Sequence, residues 1–324
     1  MKGEPRGIVG DVGGTNARFA LVDEDGRIRT PKSYTCANYG SLTEILAEYL
    51  ESIPGRLRPR RAVLAMAGPV VDGEIEFTNL SWVVSETELV GAFEFEVVRL
   101  VNDFAAQALA APLMEPDDLR VIGPALRPAD SGAVAVLGAG TGFGVAALAR
   151  AGRLDVPLPT EGGHSAFAPY DEVEIEVWRR LKAKYGRVSK ERVLSGAGIF
   201  DLYRALGDVE GRPAPLADDK SVLAAGQAGD PLANATLDRF CEIMGGVAGD
   251  LALTFGARGG VFVSGGIAPR MLDRLAAGGF RRRFEDKGRM SDYVKAIPTS
   301  VIVHPYAALV GAVRELGQLE GARL

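Results

Sequence analysis

Gly10-Asp11-Val12-Gly13-Gly14-Thr15-Asn16 lies between two short apolar runs near the start of the chain, and a turn of the same kind, Gly138-Ala139-Gly140-Thr141-Gly142-Phe143-Gly144, occurs much later. Each segment predicts a strand, a glycine-rich turn and a second strand. Glycine permits positive φ and a close approach of the main chain to an anion, while successive N–H groups and a threonine hydroxyl supply donors. Either turn alone is typical of a plain β-hairpin. The repetition, with threonine in the middle each time, predicts two hairpins that hold one polyphosphate.

Composition excludes several classes of function. The 324 residues can form two domains, and a net charge of −5 argues against nucleic acid as the main partner, because phosphate backbones need a basic surface. The most apolar stretch, residues 133–149, contains four glycines and is shorter than the ~20 residues that cross a bilayer, so no membrane span is expected. The isolated Cys36 and Cys241 exclude a disulfide framework or a cysteine-rich zinc site. With a strand predicted from Gly7, which leaves no room for a signal peptide, they predict a cytoplasmic protein.

Apolar periodicity and capping residues predict an α/β chain in two domains. Further strands are predicted at 61–67, 74–78, 96–101 and 260–263, and helices at 41–52, 104–111, 171–185, 190–194, 199–206, 234–255 and 307–319. Ser41 and Glu44 are spaced as a capping box. We place a domain boundary near Pro112 and expect the C-terminal helix to return to the first domain. The predicted domains are 1–113 plus 304–324, a small α/β domain, and 114–303, a large one.

Asn102-Asp103 follows a predicted strand and precedes a predicted helix. Functional sites in open α/β sheets lie at the carboxyl ends of strands. A carboxylate placed there can accept a proton from a substrate hydroxyl. Asparagine and aspartate are also preferred helix N-caps, and the dipeptide by itself favours capping.

Other polar segments carry candidate roles with a structural alternative each. Glu161-Gly162-Gly163-His164 suits the recognition of vicinal hydroxyls, although a loop histidine is often structural. Ser189-Lys190-Glu191 is typical of a helix start capped by Ser189, and nothing local makes Glu191 catalytic. Asp11 could lie near a phosphate-bound Mg²⁺, through water, or form an Asx-turn. Gly265-Gly266, after a strand, could admit an adenine ring or form an ordinary turn.

Taken in order, these segments resemble the bacterial glucokinases that lack a zinc-binding cysteine cluster, a branch of the actin-like sugar kinase and Hsp70 superfamily. The segments that carry the resemblance are Gly10–Arg18, Ala67-Gly68-Pro69, Thr78-Asn79-Leu80-Ser81-Trp82, Asn102-Asp103-Phe104, Gly138–Gly142, Glu161–His164, Glu191–Gly196 and Gly265-Gly266-Ile267. The resemblance implies duplicated actin-like (ribonuclease H-like) α/β domains flanking an ATP and sugar cleft, the second domain larger and α+β in character. Leu80 and Ser264 depart slightly from the pattern, which leaves the choice of sugar less certain than the reaction type.

The resemblance also implies a function, namely ATP-dependent phosphorylation of D-glucose at the 6-hydroxyl to glucose 6-phosphate, which feeds glycolysis. Asp103 would be the general base, and Asn102, Glu161, His164 and Glu191 would hold the other hydroxyls. The residues that would bind ATP with Mg²⁺ are Gly10, Asp11, Val12, Gly13, Gly14, Thr15, Asn16, Gly138, Gly140, Thr141 and Gly142, with Gly265 and Gly266 facing adenosine. Asp11 would approach the Mg²⁺ through water. The relatives imply a homodimer.

Several alternatives stay open at this point. The substrate could be a related hexose such as mannose, fructose or glucosamine. A glycoside hydrolase would also use two carboxylates but leaves the glycine turns unexplained. A sugar-responsive regulator on the same fold would carry a basic helix-turn-helix segment, which the sequence does not show. An actin-like filament protein would need no Glu161, His164 and Glu191.

Overall fold

The computed structural model describes residues 4–77, 80–152 and 154–321. Its strands are β1 (Gly7–Val12), β2 (Asn16–Val22), β3 (Ile28–Thr35), β4 (Arg61–Met66), β5 (Glu74–Glu76), β6 (Val83–Ser85), β7 (Val97–Asn102), β8 (Leu119–Val121), β9 (Val134–Ala139), β10 (Phe143–Ala151), β11 (Leu154–Thr160), β12 (Gly260–Ser264) and β13 (Thr299–Ile302). Its α-helices are α1 (Leu42–Glu51), α2 (Glu86–Phe93), α3 (Asp103–Ala110), α4 (Glu172–Tyr185), α5 (Gly196–Glu210), α6 (Asp219–Gln227), α7 (Pro231–Phe255), α8 (Leu272–Ala276), α9 (Gly279–Glu285), α10 (Ser291–Lys295) and α11 (Ala307–Gly321). Within these described ranges no helix combines the length and the apolar character needed to cross a membrane.

The chain folds as two compact units, each with its own sheet. Unit 1 comprises Met1–Leu113, Val156–Pro159 and His304–Leu324, and unit 2 comprises Met114–Asp155 and Thr160–Val303.

The sheet of unit 1 has the strand order β3-β2-β1-β4-β7. β1 and β2 form an antiparallel hairpin, whereas β4 runs parallel to β1 and β7 parallel to β4. Successive residues of β1 face opposite sides of the sheet. Ile8 belongs to the core cluster that contains Leu46 of α1, and Val9 packs with Leu309 and Leu316 of α11. Helices therefore cover both faces of the parallel strands, as parallel sheets require.

α11 packs closely against α3, since small residues lie where the two helices cross. A Cβ on Gly311 would lie 1.7 Å from the carbonyl oxygen of Ala106, so only glycine fits at this position. Ala106 and Ala308 share a small buried cluster with Ala65 of β4. α11 thus fixes α3 on the sheet, and α3 begins at Asp103.

The six-stranded sheet, most of which belongs to unit 2, repeats the strand order of the sheet of unit 1. Its order is β11-β10-β9-β12-β13-β8, in which β9 and β10 form an antiparallel hairpin. β12 runs parallel to β9 and β13 parallel to β12, while β8 adds an antiparallel edge. The order β11-β10-β9-β12-β13 corresponds strand by strand to β3-β2-β1-β4-β7. This repeated order confirms the predicted duplicated α/β class, and helices α4–α10 enlarge the second copy.

Two local predictions around helix starts are wrong in detail. The helix expected at 190–194 is a single 3₁₀ turn, Lys190–Arg192, and Ser189 makes no side-chain cap. Ser41 accepts the N–H of Glu44 as expected, but the Glu44 carboxylate returns to the N–H of Gly40 rather than to that of Ser41.

Part of the sequence pattern lies outside the described residues. These positions are Met1–Gly3, before the first strand, and Thr78 and Asn79, which were quoted for the family resemblance. The strand expected at 74–78 ends at Glu76.

Candidate active site

The first glycine turn joins β1 to β2 in unit 1, with the N–H of Gly13 donating to the carbonyl of Asn16 at 2.9 Å. Thr15 and Asn16 are exposed, whereas Gly13 and Gly14 are half-buried. Gly10 lies inside β1, where a Cβ would come 2.7 Å from Leu64 Cδ2, so core packing requires this glycine. The expected positive φ is absent from all three glycines of this turn. The turn therefore depends on close packing and open backbone rather than on left-handed geometry.

Asp11 pairs across the hairpin with Arg18, and the two charged groups approach to 3.3 Å. This cross-strand pair replaces the Asx-turn that was the alternative. Burial raises the pKa of the Asp11 carboxyl above its ordinary value, and the guanidinium of Arg18 opposes that shift. A nearby cation would stabilise such a carboxylate.

The residues around Asp11 suit a cation that is coordinated mainly by water and substrate oxygens. The described residues contain no group of three or more His, Cys, Asp or Glu side chains that could form a metal cage. Mg²⁺ keeps several waters and binds through one or two carboxylates together with substrate phosphates. Asp11, a single carboxylate beside a glycine-rich turn, fits Mg²⁺ in that mode.

The parallel strands of unit 1 bring the first turn and Asn102 to the same sheet edge. Val12, Met66 and Asn102 are in register on β1, β4 and β7, and each ends its strand. The N–H of Ala67 donates to the carbonyl of Val12 at 2.9 Å, and Asn102 Nδ2 donates to the carbonyl of Gly68 at 3.1 Å. This edge is where ligands bind in open α/β sheets.

Asn102 and Asp103 divide the roles that the sequence left open for the pair. Asn102 is the N-cap of α3, since its Oδ1 accepts the N–H of Ala105 at 3.0 Å. Asp103 is the first helical residue, half-buried, and its Oδ1 accepts the N–H of Phe104 at 2.9 Å. Capping thus belongs to Asn102, and the Asp103 carboxylate is held at the helix N-terminus, where negative charge is favoured.

The second glycine turn and the Gly265-Gly266 turn lie together in unit 2. Gly138 stands beside Ser264, and a Cβ on Gly138 would lie 2.3 Å from the Ser264 carbonyl oxygen. Gly265 has φ +84° and packs against Ala139. Both the backbone conformation and the lack of space require glycine at this position. Gly140 and Gly266, by contrast, face open space. The open glycines at the ends of β9 and β12 leave room for a ligand to approach the backbone.

Glu161, His164 and Glu191 come together in unit 2. His164 Nε2 lies 3.8 Å from Glu161 Oε2, and its Nδ1 lies 3.9 Å from Glu191 Oε1. The side chains of Glu161 and His164 are 54% and 59% exposed, so a ligand can reach them. The two carboxylates can accept hydrogen bonds from neighbouring hydroxyls, and the imidazole between them can donate or accept one.

The sequence analysis missed what supports Glu191. Its Oε2 accepts the N–H of Phe143, directly after the second turn, at 2.9 Å. Ser195 Oγ donates to the Glu191 carbonyl at 2.8 Å and accepts the N–H of Gly198 as N-cap of α5. A serine before a glycine-rich helix start predicts an N-cap, so the role of Ser195 could be predicted from the sequence. No sequence pattern predicts the contact between Glu191 and Phe143.

The chain is similar to known proteins over nearly its whole length. Residues 8–319 match the family model described as Glucokinase. A glucokinase of Caulobacter sp. (strain K31) is 52% identical, over 94% of this chain and 93% of the relative. A glucokinase of Chromohalobacter salexigens is 43% identical, over 95% and 97%. The crystal structure of a glucokinase from an Antarctic psychrotroph is similar with a TM-score of 0.88 and 38% identity, over 96% and 98% of the two chains. The similarity confirms the expected actin-like α/β fold class.

Proposed function

Because this chain belongs to the glucokinase family, we propose that it is an ATP-dependent hexokinase-type phosphotransferase that converts D-glucose to glucose 6-phosphate. The observation that carries the proposal is the group formed by Glu161, His164 and Glu191, which is joined through Phe143 to the second glycine turn. Hydroxyl-binding side chains and a phosphate-type turn in one framework suit the transfer of a phosphoryl group to a sugar.

In this proposal Asp103 accepts the proton of the sugar 6-hydroxyl as the oxygen attacks the γ-phosphorus of ATP. The bond from the γ-phosphorus to the β,γ-bridging oxygen breaks, and ADP leaves. Asn102, Glu161, His164 and Glu191 bind the other hydroxyls. Orientation is the main contribution, because phosphoryl transfer relies on positioning and charge stabilisation rather than on covalent catalysis. Holding several hydroxyls fixes which one faces the base.

The phosphates of ATP are assigned to the two glycine turns, Gly10–Asn16 and Gly138–Gly142, with Gly265 and Gly266 facing adenosine. Backbone N–H groups that need no reorganisation suit the charge that develops on the transferring group. Asp11 would hold Mg²⁺ through water. When bound, Mg²⁺ would neutralise charge on the phosphates.

Three finer statements belong to the same proposal. The enzyme works in the cytoplasm, as the isolated cysteines predict, and it feeds glycolysis and forms a homodimer, as the resemblance implies. The chain could also act on mannose, fructose or glucosamine, with which glucose shares most hydroxyls.

Initial-rate kinetics on a hexose panel test the proposal, with ADP formation as the readout and Mg²⁺ present. We expect D-glucose to give the highest kcat/KM and the rate without sugar to stay at background. Glu161→Gln should weaken glucose binding while the affinity for ATP is kept. ADP formation that no hexose stimulates would refute the kinase assignment.

A further inference from the structure

The peptide of Phe143 is held on both sides by the segments that carry Glu161, His164 and Glu191. Its N–H donates to Glu191 Oε2 at 2.9 Å. Its carbonyl packs against Gly163, where a Cβ would lie 1.8 Å from the oxygen, so the Glu161–His164 turn cannot move closer or carry a side chain there. Phe143 directly follows Gly142 of the second glycine turn.

The two oxygens of Glu191 face different partners. Oε2 is engaged by the Phe143 N–H, whereas Oε1 faces His164 Nδ1 at 3.9 Å. A Cβ on Gly142 would lie 2.6 Å from Oε2, so the carboxylate also touches the turn itself. A single carboxylate thus contacts both the turn and the hydroxyl-binding group.

A second connection ties the same segment to the turn. The N–H of Gly196, at the start of α5, donates to the carbonyl of Gly140 at 2.9 Å. Ser195, which caps α5, holds the Glu191 carbonyl. The backbone of Glu191 is therefore anchored, and the Glu191 carboxylate is the part of the segment that a ligand can reorient.

We propose that Glu191 is a positioning residue that couples sugar binding to nucleotide binding, through the hydrogen bond from the Phe143 N–H to its carboxylate. The inference rests on the proposed function, because it takes Glu191 Oε1 as a sugar ligand and Gly138–Gly142 as a phosphate turn. A sugar hydroxyl on Oε1 fixes the carboxylate, which in turn restrains the Phe143 peptide and the turn before it. A nucleotide then finds the turn already ordered, which gives positive cooperativity.

The coupling is reciprocal by thermodynamic linkage. If glucose tightens nucleotide binding by some factor, the nucleotide tightens glucose binding by the same factor. We expect a factor on the order of tenfold, within the usual range for two coupled sites.

Calorimetric titration of the nonhydrolysable analogue AMPPNP with Mg²⁺, with and without saturating D-glucose, measures the coupling. The test variant is Gly142→Ala, because its methyl group would displace Glu191 Oε2 without removing the carboxylate. The matched control is Gly140→Ala, which adds a methyl group to the same turn where nothing lies within 4 Å. Its affinity for AMPPNP can change, but the ratio of affinities with and without glucose is expected to equal that of the wild type.

We expect glucose to tighten AMPPNP binding about tenfold in the wild type and in Gly140→Ala, and less than about twofold in Gly142→Ala. Glu191→Asp serves as a second variant, since the shorter side chain cannot reach both partners. In this variant too, glucose should tighten AMPPNP binding less than in the wild type. Thermal unfolding confirms that each variant is folded.

Equal ratios in the wild type, Gly142→Ala and Glu191→Asp would overturn the inference, as would a wild-type ratio of one. In both cases each ligand still binds by itself, so the proposed function would stand. If the wild type bound neither glucose nor AMPPNP, the proposed function would fail together with the inference.

Discussion

At the scale of single residues, Asp103 occupies the first position of α3, and its Oδ1 accepts the N–H of Phe104 at 2.9 Å. An asparagine there would keep an acceptor for that N–H but could not take up a proton. We expect Asp103→Asn to lower kcat at least ~100-fold, the lower end for a lost general base. The KM for glucose should change little. Initial rates of ADP formation at several glucose concentrations check both statements.

The neighbouring Asn102 provides the comparison for that experiment. Asn102→Ala removes the cap on Ala105 and should lower the free energy of unfolding by about 1 kcal/mol, whereas Asp103→Asn keeps that cap and should lower it by only about 0.5 kcal/mol, through loss of the charge at the helix N-terminus. Urea unfolding separates the two variants. If Asp103→Asn kept more than roughly a tenth of the wild-type kcat, Asp103 would not be the base.

Asp11 is the residue whose ionisation opposes folding. Because burial raises its pKa, the folded protein holds the proton more tightly than the unfolded chain does, and stability is lost as the pH rises through the raised pKa. Asp11→Asn should therefore increase the free energy of unfolding at pH 7, because the folded protein no longer has to bury an ionised carboxylate. Urea unfolding without nucleotide measures it.

The pH dependence of this effect identifies its cause. At pH values below the ordinary Asp range the wild-type carboxyl is protonated in both states, so the advantage of Asp11→Asn should disappear there. The same variant should bind MgATP more weakly at pH 7. A stabilisation that persists unchanged in acid would show that the buried charge is not responsible.

At the scale of elements, the sequence predicts what is coded locally. Both hairpins carry glycine and threonine in the turn and apolar strands on either side, so they could be found without a structure. The exposed edge strand β3 could not, because most of its residues, among them Arg29, Pro31 and Lys32, face solvent and show no alternation. Positive φ explains only some of the glycines in these turns. Gly10 and Gly138 are required by close packing, and positive φ occurs at Gly265 instead.

Contacts between distant segments explain what the sequence hides about the candidate site. Glu191 and Phe143 are 48 residues apart, and neither residue type indicates that a carboxylate will meet that backbone N–H. Asn102 and Asp103 were identified because a strand end and a helix start are readable signals. Which of the two caps the helix depended on the geometry of α3.

The crossing of α11 and α3 is the element contact that supports Asp103. Gly311→Ala would place a Cβ 1.7 Å from the Ala106 carbonyl oxygen, so the helices must separate. We expect a loss of about 3 kcal/mol in the free energy of unfolding, at the upper end for overpacking, and a lower kcat because α3 moves. Urea unfolding and initial rates measure the two effects.

The same helix contains its own control. In Gly317→Ala the new Cβ would meet only the Arg6 side chain at 3.4 Å, an ordinary contact. Alanine has the higher helix propensity, so this variant should be neutral or stabilised by up to about 1 kcal/mol. Equal destabilisation by both substitutions would contradict the close crossing.

At the scale of the whole molecule, the two cysteines report on the two units. Cys36 lies in the core of unit 1 and Cys241 in the core of unit 2, and both side chains are buried. Burial raises the pKa of the Cys241 thiol to about 12 and also raises that of Cys36. The thiolate is the reactive form. Neither thiol should therefore react with a labelling reagent in the native protein at pH 8, and both should react after denaturation.

Thiol labelling along a urea gradient then tests whether the units unfold separately. Each unit has its own sheet and core, which is the usual basis for independent folding. Gly311 and Cys36 belong to unit 1, so Gly311→Ala should lower the urea midpoint for labelling of Cys36 and leave that of Cys241 unchanged. Mass spectrometry of the labelled peptides resolves the two positions. Equal shifts of both midpoints would mean that the chain unfolds in one cooperative step, in which case the free energy measured for Gly311→Ala would belong to the entire protein and not to unit 1.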